Sequence, residues 1–450
     1  MTKAITTRSL LEKHVSKRDR ILLLNPPVFE TRYSWRRWNQ PLDLLQIGSH
    51  LKATVKCGVE LFDFMLPDGK GLVEKQALTG TNKHRCVGDG SFAYSYPMWR
   101  FGKSFSDFEQ WLVVRQSASK TGRPTQVWIT SLCSYWFRSI HHTCNSVRNR
   151  LHDVQIVLLG NYPRMMPDHA IELSGADFIV TKGMVNPEGN GSLALYGAER
   201  PPFASLNLRS QTTVSAIQRA VEEGVHHFAF FDDDICRDNG EPLREVVEKT
   251  KGLHPHLRFH AVSGLLPERL TPQLASLFAD RSFAELHFEE ASAGGILEEE
   301  SYRRARSLLV EAGMNVGDGD KTSGFVWIGR PGDTLEEIVR RCFVVLGSFG
   351  SLILKPFTPV PGSDIFKQHD KYLKAIQPED LSPHMFPFAE HNNITREEYH
   401  DLYRMAAFLN EKVRNRSFDF LNGSMGARLL RNSLRREAWN LEASPLSIVD

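Results

Sequence analysis

Through the first 185 residues, short apolar runs stopped by turn residues alternate with stretches whose apolar positions recur every three or four residues. Arg20 to Pro27, Arg-Ile-Leu-Leu-Leu-Asn-Pro-Pro, reads as a strand apolar on both faces, which implies a parallel sheet covered on both sides. Leu42, Leu45, Ile47 and Leu51 follow at near-helical spacing over 41–54, and 59–66 gives a second strand. The alternation returns with strands over 126–136, 154–163 and 176–182 and helices over 138–152 and 167–174. Five strands with intervening helices predict a flavodoxin-like, doubly wound unit whose ligand crevice lies at the carboxyl ends of its strands. Residues 67–103 are too long for an ordinary connection and read as a flexible insertion carrying Tyr94, Tyr96, Trp99 and Phe101 over that crevice.

A second series begins at residue 203. Strands are predicted over 203–208, 226–235, 258–265, 283–290, 323–328 and 352–358, and helices over 214–223, 242–251, 271–278, 298–312 and 335–346. Six βα repeats imply a partial or complete parallel barrel, with chemistry at the carboxyl ends of its strands. Residues 186–202 read as a linker. Residues 367–450 read as a helical C-terminal extension, with an apolar stripe over 395–416 and with Arg428, Arg431, Arg435 and Arg436 near one face of a last helix.

Composition narrows the function classes. The 450 residues carry 55 Lys plus Arg against 53 Asp plus Glu, a net charge of +2, which argues against a nucleic-acid binder driven by bulk charge. No run of apolar residues is long enough for a membrane helix, and residues 1–20 lack the apolar core of a secretory signal, so a cytoplasmic protein is expected. Six scattered cysteines form neither a disulfide framework nor a zinc-finger spacing.

Candidate chemistry gathers at the strand ends. Asn25-Pro26-Pro27, Ser131 to Trp136, Gly160-Asn161-Tyr162-Pro163 and Thr181-Lys182-Gly183 offer small hydroxyl, amide and glycine positions. Such residues suit close backbone approach to the polar tail of a large flat ligand, and they equally suit ordinary turns. In the second half Asp232-Asp233-Asp234, Glu289-Glu290 and Gly329 to Thr334 occupy the corresponding places. Consecutive strand residues point to opposite faces, so the three aspartates are not expected to hold a metal. Asp333 or Thr334 reads as the N-cap of the helix that follows. Gly88-Asp89-Gly90-Ser91 reads as part of the flexible insertion and Gly189-Asn190-Gly191 as a turn, rather than either as a phosphate loop.

The order Leu-Leu-Asn-Pro-Pro, Pro-Leu-Asp-Leu-Leu-Gln-Ile-Gly-Ser-His-Leu-Lys, Ile-Thr-Ser-Leu-Cys-Ser-Tyr-Trp, Val-Leu-Leu-Gly-Asn-Tyr-Pro and Gly-Ala-Asp-Phe-Ile-Val resembles the N-terminal domain of cobalamin-dependent radical S-adenosylmethionine (SAM) enzymes. The resemblance implies a Rossmann-like cobalamin-binding domain over 18–185, a linker over 186–202, a (β/α)6 radical-SAM-like partial TIM barrel over 203–366, and a helical tail over 367–450. It nominates Asn25, Pro26, Ser131, Ser134, Tyr135, Gly160, Asn161 and Tyr162 as cobalamin contacts. Tyr135, Trp136 and Tyr162 are the side chains it offers to the lower face of the corrin. The second of the family's two fourth-strand glycines is replaced here by Asn161, which narrows the crevice. No Asp-x-His-x-x-Gly pattern supplies a lower axial histidine, since Asp168 and His169 are adjacent.

Gly-Val-His-His-Phe-Ala-Phe-Phe-Asp-Asp-Asp at 224–234, Leu-His-Phe-Glu-Glu-Ala-Ser at 286–292, Ile-Gly-Arg-Pro-Gly-Asp-Thr at 328–334 and Lys-Pro-Phe-Thr-Pro-Val-Pro-Gly-Ser at 355–363 extend the resemblance to the radical SAM barrel. One departure bears on mechanism. The Cys-x-x-x-Cys-x-x-Cys motif that holds the family's [4Fe-4S] cluster is missing, and no cysteine lies between Thr181 and Cys236. The expectation is a cobalamin-binding, cluster-less member performing a methyl transfer or a related non-reductive step. SAM is a candidate second cofactor, and Asp232, Glu289 and Glu290 are candidates to touch SAM or substrate. The alternatives are a non-catalytic partner or regulatory subunit of an intact radical SAM enzyme, and a barrel scaffold that binds neither cofactor.

Overall fold

In the computed structural model the described residues are 2–31, 40–67, 75–85, 92–118, 123–183, 191–199, 201, 203–208, 212–290, 299–316, 321–376 and 378–414. The glycine-containing segment 88–91, Gly189-Asn190 and the four arginines of the last expected helix lie outside them. The chain is mixed α/β and divides into two units, residues 1–205, 210–225 and 359–384 forming the first and residues 206–209, 226–358 and 385–450 the second.

The strands of the first unit are β1 (Lys3–Thr6), β2 (Arg20–Asn25), β3 (Val28–Thr31), β4 (Gly58–Asp63), β5 (Lys75–Arg85), β6 (Phe92–Phe101), β7 (Gln126–Ile129), β8 (Gln155–Leu158) and β9 (Phe178–Lys182). Six of them form a parallel sheet in the order β1-β9-β8-β7-β2-β4. Leaving out the edge strand β1, the order is the doubly wound 2-1-3-4-5, with its reversal between β2 and β7. One face packs through Leu22, Leu24, Phe62, Val127, Ile129, Ile156, Leu158 and Ile179 onto Phe108, Leu112, Ile140, Cys144 and Val147 of two covering helices. Leu23 and Val157 on the other parity are equally buried. Burial on both faces accounts for the uninterrupted apolar run after Arg20.

Two features depart from the sequence reading. The polar N-terminal stretch supplies β1 and a helix, Thr7–Lys13, and β1 pairs parallel with β9. Its exposed edge position explains why no apolar run announces it. The long insertion, expected to be flexible, supplies β5 and β6, which pair antiparallel with each other, and β6 pairs antiparallel with β3 as well.

A second sheet has the order β10 (Phe203–Leu206), β11 (His227–Phe230), β12 (Arg258–Leu265), β13 (Phe283–Phe288), β14 (Thr322–Ile328) and β15 (Leu352–Pro356), of which β11 to β15 belong to the second unit. The pairs from β11 to β15 are parallel. One face is covered by helices and dense with rings; Phe288 stacks on Phe349 at 4.1 Å. The outer edge of β15 is closed by Asn410 from the helix Arg396–Arg414, whose side-chain amide accepts from Leu352 N–H at 2.9 Å and donates to Leu352 C=O at 2.8 Å. That amide stands in for a neighbouring strand. Among the described residues no helix is long and apolar enough to cross a membrane.

A buried ion network holds the helix Leu335–Phe349 to this sheet. Arg341 donates to Glu290 at 2.7 Å and to Asp333 at 2.8 Å, and Arg330 donates to Glu290 at 3.1 Å. The other Glu290 oxygen accepts Trp327 N–H at 2.8 Å, and Asp333 accepts Arg330 N–H at 2.9 Å. Burial works against the Arg341 charge, yet Glu290 and Asp333 outweigh it and hold its pKa above the ordinary value. Thr334, not Asp333, caps the helix by accepting Glu337 N–H at 3.3 Å. Replacing Arg341 by Leu takes from two buried carboxylates the guanidinium they share, so Arg341→Leu is expected to cost about 3–5 kcal/mol, read as an earlier transition in urea unfolding of the full chain.

Candidate functional site

At the carboxyl edge of the first sheet, where the strand order reverses, lies a cavity of about 220 Å³. The ends of β2, β7, β8 and β9 reach it through Asn25, Thr130-Ser131-Leu132, Leu159-Gly160-Asn161 and Val180. The helix Leu42–His50 adds Asp43, Gln46 and Ile47, while Thr7, Gln40 and Arg164 complete the polar wall. Cavities that take a whole ligand measure ~300–1,000 Å³, so this one accommodates a segment of a larger molecule.

Backbone geometry forms the floor. Gly160 has φ +87°, and a Cβ there would lie 2.3 Å from the Ser131 carbonyl oxygen, so the two loops cross only because this residue is glycine. Asn161 N–H donates to that same oxygen at 2.6 Å, and its side-chain amide donates to Leu132 C=O at 2.8 Å. Asn161 therefore stitches the ends of β7 and β8 together, and the space opens towards β2 and the helix at 42–50. Leu132 is 52% exposed despite being apolar, at a position where a ligand would cover it.

The charged groups are few. Thr130 donates to Asp43, which also accepts Leu44 N–H at 2.8 Å; burial pushes the Asp43 carboxyl up, against these bonds and the more distant Arg164. Arg164 donates to Gly183 C=O at 2.6 Å. Behind the wall Asn25 donates to Asp63 at 2.7 Å, and Tyr196 donates to the other Asp63 oxygen at 2.8 Å. Burial raises the Asp63 pKa to about 6 despite these donors. Hydroxyls, amides, one carboxylate and one guanidinium equip the cavity to hydrogen-bond a polar ligand.

Of the nominated contacts, Asn25, Ser131, Gly160 and Asn161 line this cavity, and Pro26, Ser134, Tyr135 and Tyr162 do not. Pro26 is buried beyond the strand end. Ser134 and Tyr135 belong to the turn Ser134–Trp136, where Tyr135 packs with Val28, Met65, Phe101 and Trp136. Tyr162 is fully buried in the helix-covered core, its hydroxyl 2.8 Å from His141 Nε2 and 2.7 Å from His169 Nδ1. The residues the sequence reading missed are Thr7, Gln40, Asp43, Gln46, Thr130 and Arg164. Asp43 and Gln46 carried a legible signal, since a spacing of three puts both on one helix face.

The candidates in the second unit also part company. Asp232 is 5% exposed and accepts Leu208 N–H at 2.9 Å, which ties it to backbone rather than to open space. Nearby, a Cβ at Gly264 would lie 2.1 Å from the Asp232 carbonyl oxygen. Glu290 is enclosed by the ion network. Glu289 alone faces the other side of the sheet, paired with Lys355 at 3.1 Å. Among the described residues no group of three or more His, Cys, Asp or Glu side chains is placed to hold a metal ion.

The raised Asp63 pKa makes folding pH-dependent. The folded state binds this proton more tightly than the unfolded chain, so the contribution is fully present below the ordinary value of 3.8 and is lost as pH rises through about 6. The melting temperature of wild type minus that of Asp63→Asn is therefore expected to be most favourable to wild type near pH 4 and to fall by pH 7.5, as thermal melts across that range would read. No protein-family model matches the chain, and no curated protein matches it.

Proposed function

We propose that the chain is a cobalamin-binding protein of the cobalamin-dependent radical SAM lineage that works without an iron–sulfur cluster of its own. On this reading residues 18–185 are the Rossmann-like cobalamin domain, and 203–366 a radical-SAM-like partial barrel. The observation that carries it is convergence. Asn25, Ser131, Gly160 and Asn161, nominated from separate motifs, line one cavity at the reversal point of a parallel sheet.

The residues present fit the tail of a cobalamin. The cavity has the size of a nucleotide fragment rather than of a corrin ring. Arg164 offers a guanidinium to a phosphate, and Thr130, Ser131 and Asn161 offer hydroxyl and amide groups. Bound cobalamin supplies a cobalt that carries a methyl group; the chain's own part is to grip the tail and to keep water from it.

The cluster-less part of the reading rests on the missing Cys-x-x-x-Cys-x-x-Cys motif. Burial pushes Cys133, Cys144, Cys236 and Cys342 up to about 12, so without a metal these are neutral thiols. The reaction class proposed is a methyl transfer, with SAM as the candidate donor.

Anaerobic reconstitution with hydroxocobalamin, iron and sulfide, followed by desalting, tests the reading. Corrin absorbance near one equivalent per chain with no stoichiometric iron is the expected result. Ser131→Leu, which fills the cavity, is expected to weaken corrin retention about ten-fold or more while the far-ultraviolet circular dichroism stays unchanged. Absence of retained corrin overturns cobalamin binding, and about four irons per chain overturns the cluster-less assignment.

A further inference from the structure

The second sheet has a face that is not lined like its ring-filled opposite. Register pairs His260 with Glu285, His287 with Ser323, and Trp327 with Lys355. Alternation along each strand keeps Glu285 with His287, and Ser323 with Phe325 and Trp327, on this same side. Lys355 Nζ lies 3.1 Å from both Glu289 carboxylate oxygens and 4.5 and 4.7 Å from the ring centroids of Phe325 and Trp327. His287 meets the Phe325 ring edge-on, with centroids 5.6 Å apart. Its Nε2 is 3.7 Å from Glu285 Oε2. His260 Nδ1 stands 3.6 Å from the same oxygen, and His260 Nε2 is 2.9 Å from His227 Nδ1. Ser323, beside His287 in register, keeps its hydroxyl buried with no hydrogen-bond partner among the described residues.

We propose that this face is a proton-abstraction site for a small, flat, conjugated carbon acid, with His287 as the base, Glu285 as its positioning residue and Lys355 as the cation that stabilises the resulting anion. The site goes beyond the cobalamin reading and does not rest on it.

The base, its positioning residue and the anion-stabilising cation are each a named group on this face. His287 directs Nε2 towards Glu285, which leaves Nδ1 for substrate. The groups facing it are Glu285, His260, Glu289 and Lys355; burial, opposed by Glu285, keeps the imidazole pKa below its ordinary value, so the proton-accepting form prevails at neutral pH. Phe325 and Trp327 each bring an aromatic ring within 5 Å of Lys355 Nζ, and Lys355 has three N–H donors of which Glu289 takes two. In the step the substrate C–H bond breaks and the proton moves to His287 Nδ1. The electron pair moves into the conjugated acceptor beside Lys355, and the imidazolium faces Glu285. The 3.7 Å gap exceeds a formed hydrogen bond and closes by a side-chain shift of under 1 Å when the imidazole is charged.

The probe is 5-nitrobenzisoxazole, a flat carbon acid whose C3 proton, once removed, breaks the ring N–O bond and leaves the coloured 2-cyano-4-nitrophenolate. With the full chain and no added cobalamin, the rate is expected to exceed that of buffer about ten-fold or more and to fall with pH along a single protonation. His287→Asn is expected to return it to the buffer rate, and Lys355→Met to lower it about ten-fold. Glu285→Gln is expected to move the pH inflection downward, because the carboxylate that favours the imidazolium is gone; a merely structural role leaves the inflection in place. Wild type no faster than buffer, His287→Asn as fast as wild type, or an unmoved inflection in Glu285→Gln each overturns the proposal. Should His287→Asn fail to fold by circular dichroism, the Glu285→Gln inflection decides. Corrin retention is read separately, so either assignment can fail without the other.

Discussion

Parallel pairing is the constraint on which the rest of this chain depends. A parallel strand cannot return through a tight turn, so each connection crosses over, and all carboxyl ends collect on one edge of the sheet. In the first sheet that edge gathers Asn25, Ser131, Gly160 and Val180 from four strands spread over about 155 residues of sequence. The polar residues that end each strand are turn residues locally and cavity residues globally. Gly160 shows both at once: its positive φ makes the turn, and its missing side chain lets the Ser131 loop cross in contact.

The same geometry separates two adjacent carboxylates. Glu289 and Glu290 follow β13, and alternation sends them to opposite faces. Glu290 turns to the helix-covered side with Phe288 and is closed in by Arg341 and Arg330. Glu289 turns to the other side and meets Lys355 under the aromatic strip. Enclosure by two guanidiniums and a backbone N–H gives Glu290 the work of fixing a helix, while Glu289 keeps part of its surface open, with 15% of its side chain exposed. Two residues that read alike in sequence thus differ in role through the strand's two-residue period alone.

Apolar periodicity made most of the fold legible. The expected strand over 258–265 matches β12, and the helices expected near 335 and 395 begin within one residue of their observed starts. Elements held by edges and polar contacts escaped. β1 has mostly exposed side chains, and the β5–β6 hairpin lies in a segment whose composition resembles a loop. Within the cavity, residues at strand ends were foreseeable because topology collects strand ends. Tyr162 lies outside the cavity, because its hydroxyl finds His141 and His169 beneath the sheet edge, contacts separated by up to 21 residues that no local pattern encodes. Arg164 and Thr7 were missed for the converse reason, since each reaches the cavity from a short helix with no chemical signature of its own.

The two faces of the second sheet bear on whether that sheet is only a scaffold. One face of these strands is Phe228, Phe230, Leu286, Phe288, Val326 and Ile328, each fully buried. The alternate positions, His260, Glu285, His287 and Ser323, are polar although several are as deeply enclosed; His260 is 4% exposed and Ser323 6%. A buried hydroxyl without a partner costs about 1–3 kcal/mol, and apolar residues of similar volume would remove that cost. Stability alone therefore favours a second apolar face. That the strands keep imidazoles, carboxylates and a lysine beside Phe325 and Trp327 instead is the arrangement expected where chemistry, rather than packing, sets the residue types.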